Sequence, residues 1–347
     1  MATRRISVFW FKEEFVTRFS RRVALTAPAA AALGYAVARS GFSALAQDAS
    51  PVAPAAVLPV TVTDANGNEV TITDISRIIP LSGDIAEIVW DLGLAANIVG
   101  VDVSAVYPEA LLAMPKIGYE RVLNAEGILS LNPTVVIGKE AAGPVEVLDQ
   151  VRSAGVPVVI ISSPETIEAP NVKIEAVATA LGLANDGAAQ ALDVKVHDEI
   201  QAAIDLAAHA TTKPSALVLL IQEGGVQLVA GGGTVANAML EAAGATDAGA
   251  ASGIMGYQPV TAEALVAAAP EIIVTMAMGA EAVGGLDGVL ALPGIADTPA
   301  GQNGRIYLYD DELLLAMTPR TGQQLMAMIA DFHPELAGAT PEATPAG

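Results

Sequence analysis

Residues 171–210, near the middle of this 347-residue chain, carry helical spacing and no strand pattern, and strand-like apolar runs alternate with helical ones on both sides. Ile174, Val177, Ala178 and Leu181 fall three and four apart, and a second run from Ala188 to Ala208 resumes that spacing after Gly182-Leu183-Ala184-Asn185-Asp186-Gly187. Such spacing puts apolar side chains on one helix face. Lys213-Pro214 ends the stretch, because proline cannot continue a helix. The order is lobe, long helix, lobe. In open α/β sheets, ligands bind beyond the C-terminal strand ends, so two such sheets joined by one helix would face a shared cleft.

The flanking patterns are specific. Val60–Thr63 and Glu69–Thr73 alternate apolar and polar around Ala65-Asn66-Gly67-Asn68, a hairpin signal because Asn-Gly supplies the positive φ of a tight turn. Strand-like runs follow at Arg77–Leu81, Asn97–Val101, Thr134–Gly138 and Pro157–Ile161, with helices over Asp84–Leu92, Ala125–Leu131 and Pro144–Ala154. After the helical stretch come strands Ala216–Ile221, Glu271–Met276 and Arg305–Tyr309, and helices Thr234–Ala243, Ala262–Ala268 and Gly322–Phe332. Short apolar runs between helical periods indicate parallel sheets covered by helices. The expected class is α/β, with two Rossmann-like lobes of parallel-type sheet joined by a long interlobe α-helix. The expected divisions are an export signal (1–46), a flexible spacer (47–58), an N-terminal lobe (59–170), a linking helix region (171–212), a C-terminal lobe (213–336) and a disordered tail (337–347).

Charge and cysteine usage exclude several functions. With 52% hydrophobic and 16% charged residues the chain can bury a sizeable core. Residues 1–46 hold seven of the 17 Lys and Arg and two of the 38 Asp and Glu; the remainder carries 10 basic and 36 acidic side chains, a net −26. That field repels phosphate backbones and argues against a nucleic-acid partner. Any anionic ligand must then be met by a few local cations. There are no cysteines, hence no disulfides, thiolate metal sites or lipid-anchored Cys. At the N-terminus, Ser20-Arg21-Arg22 precedes a weakly apolar run, Val23 to Val37, and then Ala44-Leu45-Ala46. A basic region, a short apolar region and an A-x-A site in order describe a secretory signal. The paired arginines favour the twin-arginine route. The expected location is periplasmic or otherwise extracytoplasmic, with membrane association through an uncut N-terminus as the alternative.

One segment occurs in both halves. Gly118-Tyr119 leads to Asn124-Ala125-Glu126 and Pro133, and Gly256-Tyr257 leads to Thr261-Ala262-Glu263 and Pro270, with seven residues from Glu to Pro each time. Asn124 and Thr261 are N-cap types, and the Glu two residues on lies where the helix dipole favours an anion. Pro133 and Pro270 stop each helix before a strand. None of this requires a tyrosine in the loop ahead of each helix.

The run Ile117-Gly118-Tyr119-Glu120-Arg121-Val122-Leu123-Asn124-Ala125-Glu126-Gly127 resembles the Gly-Tyr-x-Arg-x-Leu-x-Ala-Glu-Gly segment of haem-binding periplasmic proteins of bacterial ABC importers. Gly256-Tyr257-Gln258-Pro259 and Thr318-Pro319-Arg320-Thr321 also resemble family segments, and the likeness runs in order over roughly residues 59–334. Glu-x6-Pro in both lobes is shared with cobalamin and siderophore binders of the same fold, which stay open as the alternative cargo; Gly-Tyr-x-Arg is the more specific part. The resemblance implies ferric haem b (hemin) as the transported ligand, an ABC permease with its ATPase subunits as partner, no catalysis, and a monomer. It implies that Tyr119 is the axial iron ligand through its phenolate, a known ligand class, and the only metal ligand. Arg121 would bond the tyrosine oxygen or a propionate, unless it is simply exposed in a turn. Lys139 and Arg320 are further propionate candidates. Tyr257 ligates, stacks on the porphyrin or packs. Glu126 and Glu263 match the carboxylate pair, one per lobe, that docks on permease arginines, and charge-assisted pairs of that kind give orientation and specificity.

The remaining signals are weaker. Some relatives that hold stacked haem pairs use a histidine near the second lobe's first strand end, where this chain has Gln222-Glu223-Gly224-Gly225. His197, His209 and His333 are expected to be solvated helix residues. Gly231-Gly232-Gly233-Thr234 before a helix suits an anion cradle but lacks the P-loop Lys and spacing. Met276 and Met278 read as core packing first and apolar lining second. An enzyme of similar two-lobed build would need a poised base or cysteine ligands in the cleft, and neither is evident.

Overall fold

The computed structural model describes residues 55–221 and 227–337; the expected export signal, most of the spacer, residues 222–226 and the tail from 338 lie outside the described residues. β1 (Val60–Thr63) and β2 (Glu69–Ile72) form the expected antiparallel hairpin, with Val62 opposite Val70. Asp64 closes its turn by accepting from the Asn66 and Asn68 N–H groups at 3.0 and 2.8 Å, and Gly67 takes φ +81°.

The first lobe follows as β3 (Ile78–Pro80), α1 (Gly83–Val89), α2 (Ala125–Ser130), β4 (Val135–Lys139), α3 (Val145–Ser153) and β5 (Val158–Ile161). Its three strands run parallel in the order β3-β4-β5. They are buried on both faces, which is why they read as uninterrupted apolar runs. α1 passes into a π-helical turn broken at Gly93 (φ +81°). Asn97–Val101, expected as a strand, makes only isolated parallel bridges, Ile78 to Ile98 and Val101 to Lys116. Asn97 has turned its side-chain amide onto the Ile75 carbonyl (2.9 Å).

The strand-free stretch contains α4 (Ala169–Ala180) and the 21-residue α5 (Gly187–Ala207), the latter capped by the Asp186 carboxylate. The second lobe comprises β6 (Ser215–Ile221), β7 (Gln227–Ala230), α6 (Val235–Ala242), β8 (Thr246–Asp247), α7 (Ala248–Ala251), β9 (Tyr257–Pro259) and α8 (Ala262–Ala268). It continues through β10 (Ile272–Met276), the short helices α9 (Ala277–Ala282), α10 (Gly285–Leu290) and α11 (Pro299–Asn303), β11 (Ile306–Tyr309), α12 (Asp311–Leu315) and α13 (Thr321–Phe332). The sheet runs β11-β10-β6-β7-β9, with β8 on the remaining part of the β6 edge. β11, β10, β6 and β8 are parallel, whereas β7 and β9 are antiparallel additions. This sheet is therefore mixed, and β7 and β9 were not foreseen.

α5 packs along α13. Ile85 and Val89 of α1, Val196 and Ile200 of α5, and Leu325 and Ile329 of α13 belong to one continuous apolar cluster, so both lobes share a core. The opposite face of each sheet has its own cluster. No helix among the described residues is long and apolar enough to cross a membrane. His333 departs from expectation: it is fully buried, and its ring Nε2 lies 3.0 Å from the Ala243 carbonyl oxygen. Its hydrogen-bonding ring stitches α13 to the end of α6, while His197 is exposed on α5 and His209 just beyond it.

Candidate functional site

The two repeated segments fold into matching frames. Asn124 accepts from the Gly127 N–H (3.1 Å) at the start of α2, and Thr261 accepts from the Ala264 N–H (3.3 Å) at the start of α8. Each cap satisfies a helix-terminal donor. Glu126 and Glu263 are exposed in the first turns. The Glu263 carboxyl lies below its ordinary value because its own backbone N–H and the Thr261 hydroxyl bond it. Both helices then turn through a left-handed residue, Asn132 (φ 46°) and Ala269 (φ 45°), directly before Pro133 and Pro270.

The tyrosines ahead of those frames differ. Tyr119 lies in a turn held on three sides. The Val103 N–H donates to the Gly118 carbonyl (3.0 Å), the Val122 N–H to the Tyr119 carbonyl (2.8 Å), and the Gly143 N–H to the Glu120 carbonyl (2.8 Å). Gly118 takes φ +100°, a conformation that favours glycine. The Tyr119 side chain is 46% exposed and that of Arg121 64%. Between them Glu120 is turned inward at 8% exposure, with Arg121 Nε 4.0 Å from one oxygen and Lys139 Nζ 3.9 Å from the other.

Tyr257 opens the edge strand β9 and is 40% exposed. Burial, then the Glu165 carboxylate, push its phenol up to about 12 against a Thr234 hydrogen bond. It therefore holds its proton firmly. Glu165, from the loop after β5, accepts from the Val235 N–H (2.8 Å) at the N-terminus of α6. The Gly231 and Gly232 N–H groups donate to the Gly256 and Ile254 carbonyls. The anion expected at Gly231-Gly232-Gly233-Thr234 is thus the chain's own Glu165, and that contact joins the two lobes.

The other predicted cations are engaged. Lys139 ends β4 at 15% exposure with its ammonium 3.0 Å from Asp84. Asp84 also accepts from the fully buried Lys173 (2.5 Å), whose ammonium in turn reaches the Ala316 carbonyl (2.6 Å). Burial opposes ionisation of Asp84, but Lys173 and Lys139 outweigh it and hold the carboxyl well below the usual range. Arg320 makes a bidentate pair with Glu87 of α1 (2.8 and 2.9 Å) and lies 3.7 Å over the Tyr107 ring. Such fork geometry is specific to guanidinium and carboxylate. Glu312 of α12 reaches the same junction, where both its oxygens are buried without a hydrogen-bond partner. Burial first, then Asp84 and Glu87, push its carboxyl up to about 8. Glu312 sits where a side chain on Gly83 would be, so that glycine makes room for it.

This junction was missed in the sequence. Lys173 did carry a signal: it precedes Ile174 and lies four residues before Val177, on the apolar face of its helix. Asp84, Glu87 and Glu312 carried none, because their partners are distant in sequence.

Exposed large apolar side chains include Val103, Val106, Tyr107 and Val122 of the first lobe and Met255, Met278 and Leu286 of the second. Met276 is partly buried against the shared core, and Met278 is exposed on α9. Among the described residues no group of three or more His, Cys, Asp or Glu is placed to hold a metal ion. What the arrangement offers is an accessible phenol two residues from an exposed guanidinium that also faces Glu120. A phenol that gives up its proton to a metal supplies the hard anionic oxygen that suits ferric iron.

The chain matches the periplasmic binding protein family over residues 78–313. Among solved structures, it is 47% identical to the periplasmic heme-binding protein RhuT from Roseiflexus sp. RS-1 in apo form, covering 76% of this chain and all of that one, with a TM-score of 0.73. It is 37% identical to the periplasmic heme-binding protein BhuT in complex with two hemes, covering 75% of this chain and 98% of that one, with a TM-score of 0.69. It is also 24% identical over 281 residues to a cobalamin-binding protein of Halobacterium salinarum, covering 79% of this chain and 74% of that one.

Proposed function

This chain belongs to the periplasmic binding protein family, and from that premise we propose that it captures haem between its lobes outside the cytoplasm and delivers it to an ABC importer permease, as a monomer and without catalysing a reaction. The observation that carries this reading is the Tyr119 turn. Its phenol is accessible, its neighbour Arg121 has an exposed side chain, and both stand in a segment of the Gly-Tyr-x-Arg type. The two relatives named as heme-binding, at 47% and 37% identity, support the cargo.

In this reading Tyr119 ligates the iron of ferric haem b as phenolate, and Arg121 favours that form or meets a propionate. Tyr257 forms a wall of the cleft, since a phenol pushed up to about 12 is a poor source of phenolate. Arg121 takes precedence over Lys139 and Arg320 for a propionate, because those two are already neutralised by Asp84 and Glu87. Glu126 and Glu263, exposed on matching helix starts, dock on the permease. Residues 1–46 direct export.

Titration of the mature protein with hemin tests the proposal. A ferric tyrosinate spectrum that disappears in Tyr119→Ala is expected; no Soret shift at micromolar hemin would sink it. The Halobacterium relative favours cobalamin as second reading, so cobalamin is titrated in parallel. Binding of cobalamin but not hemin replaces the proposal with that alternative.

A further inference from the structure

Exposure alternates across three consecutive residues: Tyr119 outward, Glu120 inward, Arg121 outward. In a turn this pattern requires something to hold the middle residue, since a lone buried carboxylate is costly. Glu120 is held through its backbone and through its carboxylate, one oxygen of which lies 4.0 Å from Arg121 Nε. Its backbone carbonyl accepts from the Gly143 N–H, while the Gly143 carbonyl accepts from the Leu123 N–H (2.9 Å), so the turn is clamped to the loop after β4. Its carboxylate faces the Lys139 ammonium at 3.9 Å, and Lys139 is fixed by Asp84, which is fixed by Lys173. The last link, Lys173 to the Ala316 carbonyl, ends in the second lobe.

We infer that Glu120 and Lys139 are positioning residues for the Tyr119 turn, holding the phenol and the Arg121 guanidinium toward the cleft and coupling their placement to the lobe junction through Asp84 and Lys173. The inference rests on the proposed haem reading for its consequence but not for its geometry. The Lys139–Glu120 separation is about 1 Å longer than a charge-assisted hydrogen bond, and the Glu120 oxygen facing Lys139 has no hydrogen-bond partner. The carboxylate tether is therefore electrostatic, while the backbone bonds to Gly143 hold the turn itself. Outer partners of this kind orient a metal ligand that they do not themselves replace.

The test uses the mature chain with Glu120→Gln, Lys139→Met and the cation-retaining Lys139→Arg, each checked for an unchanged circular dichroism spectrum. Glu120→Gln keeps the shape of the side chain and serves if Lys139→Met does not fold. Hydrogen exchange without hemin is read first. Exchange at the Val122, Leu123 and Gly143 amides rises in Glu120→Gln and Lys139→Met and is restored in Lys139→Arg. With hemin, the two uncharged variants release it roughly tenfold faster and show a broadened or shifted tyrosinate band, while Lys139→Arg keeps the parent band. Unchanged exchange and an unchanged band in folded Glu120→Gln overturn the inference. Raised exchange in a protein whose parent never binds hemin upholds the positioning and overturns the haem reading instead.

Discussion

The segments Gly118–Pro133 and Gly256–Pro270 share a cap, a first-turn glutamate, a left-handed exit and a proline, yet their tyrosines stand in different surroundings. Tyr119 sits on a turn backed by Lys139, Asp84 and Lys173, with an exposed guanidinium two residues on. Tyr257 sits on a strand edge, with Gln258 donating its side-chain amide to the Met255 carbonyl (2.9 Å), Pro259 closing the strand, and Glu165 nearby opposing ionisation. What the two lobes hold in common is a frame for presenting a glutamate. What they do not hold in common is the chemistry ahead of it. In the proposed reading, a repeated frame keeps the docking glutamates symmetric while the ligand side is one-sided.

The largest effect expected is on the backing of the first-lobe turn. Lys173→Met leaves Asp84 with Lys139 and the Ser82 hydroxyl and empties the link to Ala316, and breaking a buried pair costs about 3–5 kcal/mol. Urea unfolding reads this. A cost under about 1 kcal/mol would mean the Asp84 network does not set the first lobe apart.

Glu312 gives a pH signature of the same junction. It faces Asp84, Glu87 and Asp310 on the acidic side, and Arg320, Lys116, Lys139 and Lys173 on the basic side. Its carboxyl is pushed up to about 8 in the fold from an ordinary 4.5. The folded state thus keeps a proton that the unfolded chain has lost, so this contribution is full below about 4.5 and falls away as pH rises through about 8. Allowing for partial exposure, the loss is on the order of 3 kcal/mol. Glu312→Gln should flatten the stability profile between pH 5 and 8 and exceed the parent's stability at pH 8.5. An unaltered slope contradicts the placement of that carboxyl.

The smallest effects test what the lobes share. Asn124→Ala and Thr261→Ala each remove one side-chain cap, and each should cost about 1 kcal/mol. Similar values support equivalent frames, whereas a cost at only one end breaks the symmetry. Glu126→Gln and Glu263→Gln should leave hemin binding intact and each weaken delivery to the reconstituted permease.

Much of this frame was legible in the sequence. The caps, first-turn glutamates and prolines are local signals, and the buried strands read as apolar runs because both faces are covered. The edge strands were harder. β9 is exposed throughout and ends in proline, so it shows neither alternation nor an apolar run. The strand β7 does follow a sequence turn signal, Gly224-Gly225. α9 to α12 have five or six residues each, too few to display a helical period. His333 reads from sequence as a solvated helix-end residue because the partner that buries it, Ala243, is 90 positions away. The ionic junction was hidden for the same reason: Lys173 meets Asp84 across 89 residues and Arg320 meets Glu87 across 233. Lys139 and Arg320 could be recognised as cations near the cleft, but not as cations already matched.

The difference between the two tyrosines is tested most directly by recording hemin-bound spectra of Tyr119→Phe and Tyr257→Phe side by side with the parent. The proposed reading expects Tyr119→Phe to lose the tyrosinate charge-transfer band and at least on the order of 100-fold in affinity, since losing even an outer partner of a metal ligand costs roughly 10–100-fold. Tyr257→Phe should keep the band with less than about a threefold change in affinity, about 0.65 kcal/mol. A band that survives Tyr119→Phe and vanishes with Tyr257→Phe would place the iron on the second lobe and contradict the assignment.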